Sequence, residues 1–140
     1  MKIKVFIFIL SLTVCIKLTA QNKYACFHDE KNKNIQLYII FKKEKAVTIK
    51  YKGQKKVIPL QYITTEQTGS GEGSPSFFWK ETYTVKTGKR ITGNYVLTNG
   101  GAYELQLSYI DKRTNRKNNF VIIPASAGEN FYPYRNTPCF

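Results

Sequence analysis

Residues 91–110 read "ITGNYVLTNGGAYELQLSYI", and this stretch decides the fold. Ile91, Tyr95 and Leu97 fall on one side of an extended chain; after Asn99-Gly100-Gly101, so do Tyr103, Leu105, Leu107 and Tyr109. Apolar residues at every second position mark a strand with one buried face. Asn and Gly between two such runs supply the positive φ of a tight hairpin. The segment therefore predicts two antiparallel strands joined at Asn99-Gly100-Gly101, with Gly93 a candidate bulge.

The same period extends in both directions. Upstream, "FFWKETYTVK" (77–86) sets Phe77, Trp79, Tyr83 and Val85 on one face and Phe78, Lys80, Thr82, Thr84 and Lys86 on the other, and Thr87-Gly88-Lys89 turns the chain. Earlier still, "IQLYIIF" (35–41) aligns Ile35, Leu37, Ile39 and Phe41, and "AVTIKYK" (46–52) aligns Val47, Ile49 and Tyr51 against Thr48, Lys50 and Lys52. "KKVIPLQY" (55–62) is a further strand, placed at an edge or a bulge because Pro59 has no N–H to give a ladder. Downstream, "DKRTNRKN" (111–118) is a basic turn before "NFVII" (119–123). No stretch of 21–140 carries a helical period. With "YACF" (24–27) the count reaches about eight strands, so the predicted fold is an all-β antiparallel meander closing into a small barrel or a curled sheet.

The first twenty residues stand apart. Lys2 and Lys4 precede an apolar run from Val5 to Ile16 interrupted only by Ser11 and Thr13, and Leu18-Thr19-Ala20 follows. That order is the layout of a secretory leader cleaved after Ala20, and the run is short for a bilayer span. Residues 1–20 are expected to be a signal peptide and 21–140 one all-β domain, periplasmic or extracellular. Leu12-Thr13-Val14-Cys15 partly matches a lipobox that would anchor the chain by lipid at Cys15. Val14 stands where that motif takes Gly, Ala or Ser, so a cleaved leader is the expectation.

Cys15 leaves with such a leader, and Cys26 and Cys139 remain. An even pair in an exported chain reads as one disulfide; closing nearly the whole domain, it stabilises by about 4–5 kcal/mol in the chain-entropy model. Removing Lys2, Lys4 and Lys17 from the 22 basic residues leaves 19 against 9 acidic, a net charge of +10. Electrostatics then favours a negatively charged partner, polysaccharide or lipid headgroup among them, and export sets cytoplasmic nucleic acid aside. The clusters "FKKEK", "IKYKGQKK", "KTGKR" and "DKRTNRK" carry most of this charge. On turns and outward faces, such lysines also guard a sheet against edge-to-edge association.

Catalytic signatures are missing from the sequence. Gly69, Gly71 and Gly73 in "TGSGEGSPSFFWK" (68–80) precede a strand rather than a helix and lack the Gly-Lys-Ser/Thr ending, so they cradle no phosphate. His28 is the only histidine; no serine marks itself as its partner, and with Cys26 it falls short of the three or four ligands of a metal site. Glu81 interrupts the apolar face between Trp79 and Tyr83, where a carboxylate is either buried with a raised pKa or held by a lysine or at the barrel rim. No catalytic residue, metal or cofactor is expected.

Taken in order, Tyr24-x-Cys26, "VTIKYKGQ", the Ser70-Gly71 loop, Phe78-Trp79 with Lys80, and Cys139 resemble the bacterial inhibitors of c-type lysozyme. The resemblance implies a small antiparallel barrel with an N-to-C disulfide and a loop serine and lysine that enter the lysozyme cleft. Its partner-binding residues would be Ser70, Gly71, Trp79 and Lys80, with Lys80 meeting a carboxylate. The pattern departs where Glu72-Gly73-Ser74 follow Gly71 and where Lys80 directly follows Trp79. A broader resemblance, carried by "TIKYKGQ" and "GKRITGNYVLTNGG" over 35–123, is to small exported bacterial β proteins and implies a fold without a function. The expectation is an exported, non-enzymatic binding protein. It is most specifically lysozyme-inhibitor-like, and alternatively a basic module for anionic polysaccharide or lipid headgroups.

Overall fold

The computed structural model describes residues 21–70, 77–100, 104–125 and 133–140. Residues 1–20, read above as a leader and including Cys15, lie outside the described residues, as do Gly71 with the rest of 71–76, Gly101 and Tyr103. Nine strands form one antiparallel sheet, with no helix among the described residues: β1 (Lys23–Asp29), β2 (Gln36–Lys42), β3 (Lys45–Tyr51), β4 (Ile58–Pro59), β5 (Gln61–Ser70), β6 (Phe77–Thr87), β7 (Arg90–Gly100), β8 (Glu104–Asp111) and β9 (Lys117–Ile122). No described helix is long and apolar enough to cross a membrane.

The strand order is β4-β3-β2-β1-β9-β8-β7-β6-β5. Strands adjacent in sequence are adjacent in space, and β9 returns to lie beside β1. The two outermost strands, β4 and β5, are separated only by Leu60, so the sheet curls until it nearly closes into a barrel. Pro59 sits at this break, opposite Thr48, where no donor is required of it. The next amide, Leu60 N–H, donates to Val47 O at 2.9 Å. Beyond that point β5 leaves β3.

Inward residues stack in rows across the barrel. Tyr83, Tyr95 and Tyr109 are in register on β6, β7 and β8; above them lie Glu81, Leu97 and Leu107, and above those Trp79, Asn99 and Leu105. Opposite, Phe27, Leu37, Ile39, Phe41, Ala46 and Ile49 are buried against them, each large apolar side chain contributing about 1.5–3 kcal/mol. Burial raises the phenol pKa values of Tyr51, Tyr83 and Tyr95 above the ordinary value, and the Tyr51 and Tyr95 hydroxyls satisfy each other at 2.7 Å.

Four local expectations are corrected. Asn99 and Gly100 are strand residues of β7, paired with Leu105 and Glu104, rather than turn residues of positive φ. The β2–β3 register shifts between Ile40 and Phe41, pairing Phe41 with Ala46 rather than Val47, so Ala46 and Ile49 point inward and the bulge turns Val47 aside. The β6–β7 shift falls at Thr92, beside the expected Gly93, which stays in register with Val85 and Asp111. Gly93 is needed for closeness, not for φ: a Cβ there would lie 2.5 Å from Tyr109 Cζ. Finally, Thr68, Gly69 and Ser70 are strand rather than connector. β5 continues until Ser70 faces Phe77, with a register shift after Gln67 that accommodates the extra residues.

The C-terminal segment straps the outside of β1 and β2. Cys139 is bonded to Cys26, with Cα atoms 6.3 Å apart; Phe140 packs on Tyr38, which meets Tyr24 edge-on. Arg135 exchanges backbone hydrogen bonds of 2.8 Å with Tyr24, occupying the side of β1 that β9 no longer covers. The predicted disulfide and docked tail are thus both present.

Candidate functional site

An antiparallel barrel has two ends, and here they differ in charge. At one end lie the β1–β2, β3–β4, β6–β7 and β8–β9 connections. These bring together Lys31 and Lys33; Lys52, Lys55 and Lys56; Lys86, Lys89 and Arg90; and Lys112, Arg113, Arg116 and Lys117. Among the described residues only Asp29, Glu30 and Asp111 oppose them there, and each is already engaged. Asp29 accepts from the N–H groups of Lys31 and Asn32 at 2.9 and 2.8 Å, and Glu30 accepts from Asn119 Nδ2 at 3.1 Å. Asp111 accepts from the Thr114 and Arg113 N–H groups at 2.7 and 2.9 Å and from the Thr114 hydroxyl at 3.0 Å. Those bonds, Thr114 first, hold the Asp111 carboxyl below the usual range. None of the cations at this end forms an ion pair among the described residues. A cleft of about 610 Å³ opens between the β6–β7 and β8–β9 turns, lined by Arg90, Lys112 and Arg113 with Thr87 and Thr92.

The opposite end is a mouth. A cavity of about 410 Å³ has Phe41, Leu97 and Leu105 for its floor and Lys23, Lys43, Lys45, Trp79 and Tyr134 around it. Lys45 pairs with Glu81, whose other oxygen accepts from the Tyr83 hydroxyl; that hydroxyl in turn accepts from Ala46 N–H at 3.2 Å. Thr65 joins at 3.4 Å, and the Lys45 ammonium sits 4.5 Å over the Tyr62 ring. This network bridges the seam where β5 parts from β3. Of the roles open to Glu81, pairing with a lysine is the one adopted; among the described residues no second carboxylate joins its hydrogen-bond network, and Glu44 is the other acid lining the cavity.

Of the partner-binding residues expected from the sequence, Trp79 and Lys80 fall on opposite faces of the sheet. Trp79 lines the mouth and is 46 % exposed. Lys80, next in the strand, points the other way, pairs with Glu66 at 3.3 Å and borders an outer groove across β7, β8 and β9. Ser70 ends β5 near the mouth, while Gly71 is outside the described residues. His28 donates through Nδ1 to Asp29 O at 2.9 Å, and no group of three His, Cys, Asp or Glu among the described residues is placed to hold a metal.

Sequence reading found the basic clusters but missed their sum. The signal was available, because alternate turns of a meander fall at one end and three of the four clusters occupy such turns. Lys23, Lys43 and Tyr134 were missed as cavity residues, since only barrel closure brings them beside Trp79. Comparison of the chain with protein-family models, curated proteins and solved structures finds no match in any of the three.

Proposed function

We propose that the chain is an exported, non-enzymatic binding protein whose basic end docks on an anionic polysaccharide. The observation that carries this reading is the charge polarity among the described residues: twelve Lys and Arg side chains at four adjoining turns, against three carboxylates already committed to hydrogen bonds. Arg90 and Arg113 face one cleft, and guanidinium groups suit the bidentate recognition of sulfate or carboxylate oxygens. Residues 21–140 should be retained on a heparin matrix and released by salt. Log affinity should fall linearly with log salt, as counterion release requires, and Arg90→Gln/Arg113→Gln/Arg116→Gln should lower the slope. Binding that ignores salt refutes the reading; equal binding to anionic vesicles with none to heparin reassigns the surface to lipid headgroups.

A second reading, inhibition of a lysozyme-like enzyme, draws support from the barrel, the Cys26–Cys139 bond and the position of Ser70 and Trp79 on facing strands near the mouth. That end lacks the strong positive charge of the other, which limits long-range repulsion from a basic enzyme. Lysis of a bacterial suspension by c-type lysozyme should slow on titration and recover with Trp79→Ala. Undiminished lysis at excess protein rules the reading out.

A further inference from the structure

We propose that the mouth of the barrel is a second, independent site that binds a small amphipathic carboxylate. The cavity of about 410 Å³ falls within the roughly 300–1,000 Å³ of small-molecule pockets, which pair an apolar lining with a few placed polar groups. Its floor is the top of the core, Phe41, Leu97 and Leu105. The rows from Trp79 to Glu81 give a depth of about 7 Å at strand spacing, and the buried Tyr83–Tyr95 row closes it below. The occupant is therefore short: an acyl chain or single ring directed inward, with its head at the rim.

Charge at the rim sets the sign of that head. Lys45 is neutralised by Glu81, whereas Lys23 and Lys43 have no carboxylate partner among the described residues. Glu44 is the remaining acid among the described lining residues, so these carry a net single positive charge and complement one anion. Trp79 offers an exposed face without a ring partner among the described residues, while Tyr134 packs edge-on against Phe41.

The backbone of the β2–β3 turn adds an independent sign. Lys43 and Glu44 have φ of 48° and 66°, the conformation that tight hairpins usually assign to Asn-Gly. A lysine is held there despite the strain, in the turn that borders the cavity.

The test uses residues 21–140 with octanoate, measured by calorimetry and by emission of Trp79, the single tryptophan. Octanoate should bind saturably and change the Trp79 emission. Acetate, lacking the apolar body, and octan-1-ol, lacking the charge, should each bind roughly tenfold more weakly or worse, the scale of losing apolar contact or one charge-assisted hydrogen bond. Lys23→Gln/Lys43→Asn should weaken octanoate by a similar factor. Both positions are exposed and Asn tolerates the left-handed turn, so thermal stability should be unchanged or higher. No saturable heat with octanoate overturns the proposal. So does equal affinity for octan-1-ol, or undiminished octanoate binding by the double variant. Retention on heparin is untouched by any of these outcomes, so the two ends are judged separately.

Discussion

Gly93→Ala isolates the closest approach in the barrel. The added Cβ would fall 2.5 Å from Tyr109 Cε2 and Cζ, where carbon atoms normally rest about 3.5–4.0 Å apart, so the ring must move by about 1 Å or more. It cannot do so freely, because it packs on Tyr95 with centroids 4.8 Å apart. Overpacking of this kind costs about 1–3 kcal/mol, and loss of the aromatic pair adds about 0.5–1.5 kcal/mol. In a Tyr109→Ala background the obstacle is gone, and Ala should be neutral there or more stable than Gly by up to about 1 kcal/mol, since Gly is the poorer strand residue. The wild type, both single variants and the double variant form a cycle, followed by urea unfolding. A coupling of about 2 kcal/mol or more is expected on those figures. Additive effects within about 0.5 kcal/mol would refute the account of why glycine stands here.

Breaking the bond between Cys26 and Cys139 frees a loop of sequence separation 113, so Cys26→Ser/Cys139→Ser should lose about 5 kcal/mol in the chain-entropy model; a loss below about 1 kcal/mol in guanidinium melts contradicts it. Glu81→Ala strands the Lys45 ammonium and the Tyr83 hydroxyl at the seam and should cost about 1–3 kcal/mol, with hydrogen exchange rising first at Ala46; unchanged exchange there would dissociate the network from closure. The phenols of Tyr51, Tyr83 and Tyr95 are raised chiefly by burial. Folded chains keep these protons while unfolded ones lose them near the ordinary value of 10, so stability is full below that pH and falls above it, approaching about 1.4 kcal/mol per pH unit for each phenol. Phenolate absorbance showing all ten tyrosines titrating together while circular dichroism stays native would oppose this.

Strand periodicity made most of the fold legible. Tyr95, Leu97, Leu105 and Leu107 recur at every second position and are buried, as are Leu37 and Ile39, although Tyr38 between those two is buried as well, on the outer side under Phe140. What alternation could not convey was where it slips. The bulges at Val47 and Thr92 are fixed by the partner strand's register, which neither strand states alone. The Trp79–Lys80 pair shows the same limit at the candidate site. Adjacent residues of a strand face opposite sides, so one sequence motif separates into a cavity wall and an outer ion pair once the sheet has closed.

Closure also explains why one small sheet can hold two unlike ends. An up-and-down barrel sends every second connection to the same rim, so lysines scattered through "IKYKGQKK", "KTGKR" and "DKRTNRK" gather without any motif longer than a turn. The cost of gathering them is mutual repulsion, weak across water and screened beyond about 10 Å, and the Asp29 and Asp111 caps fix the turns while neutralising little. At the other rim the lysines meet an apolar floor and a seam. There Lys45 is taken up by Glu81, and barrel closure itself leaves Lys23 and Lys43 beside Phe41 and Trp79. The seam and the mouth are therefore one construction: whatever loosens the Lys45–Glu81–Tyr83 network also reshapes the cavity. Glu81→Ala should accordingly change octanoate affinity along with stability, whereas Cys26→Ser/Cys139→Ser, acting on the outer strap, should lower stability and leave affinity in the folded state unaltered.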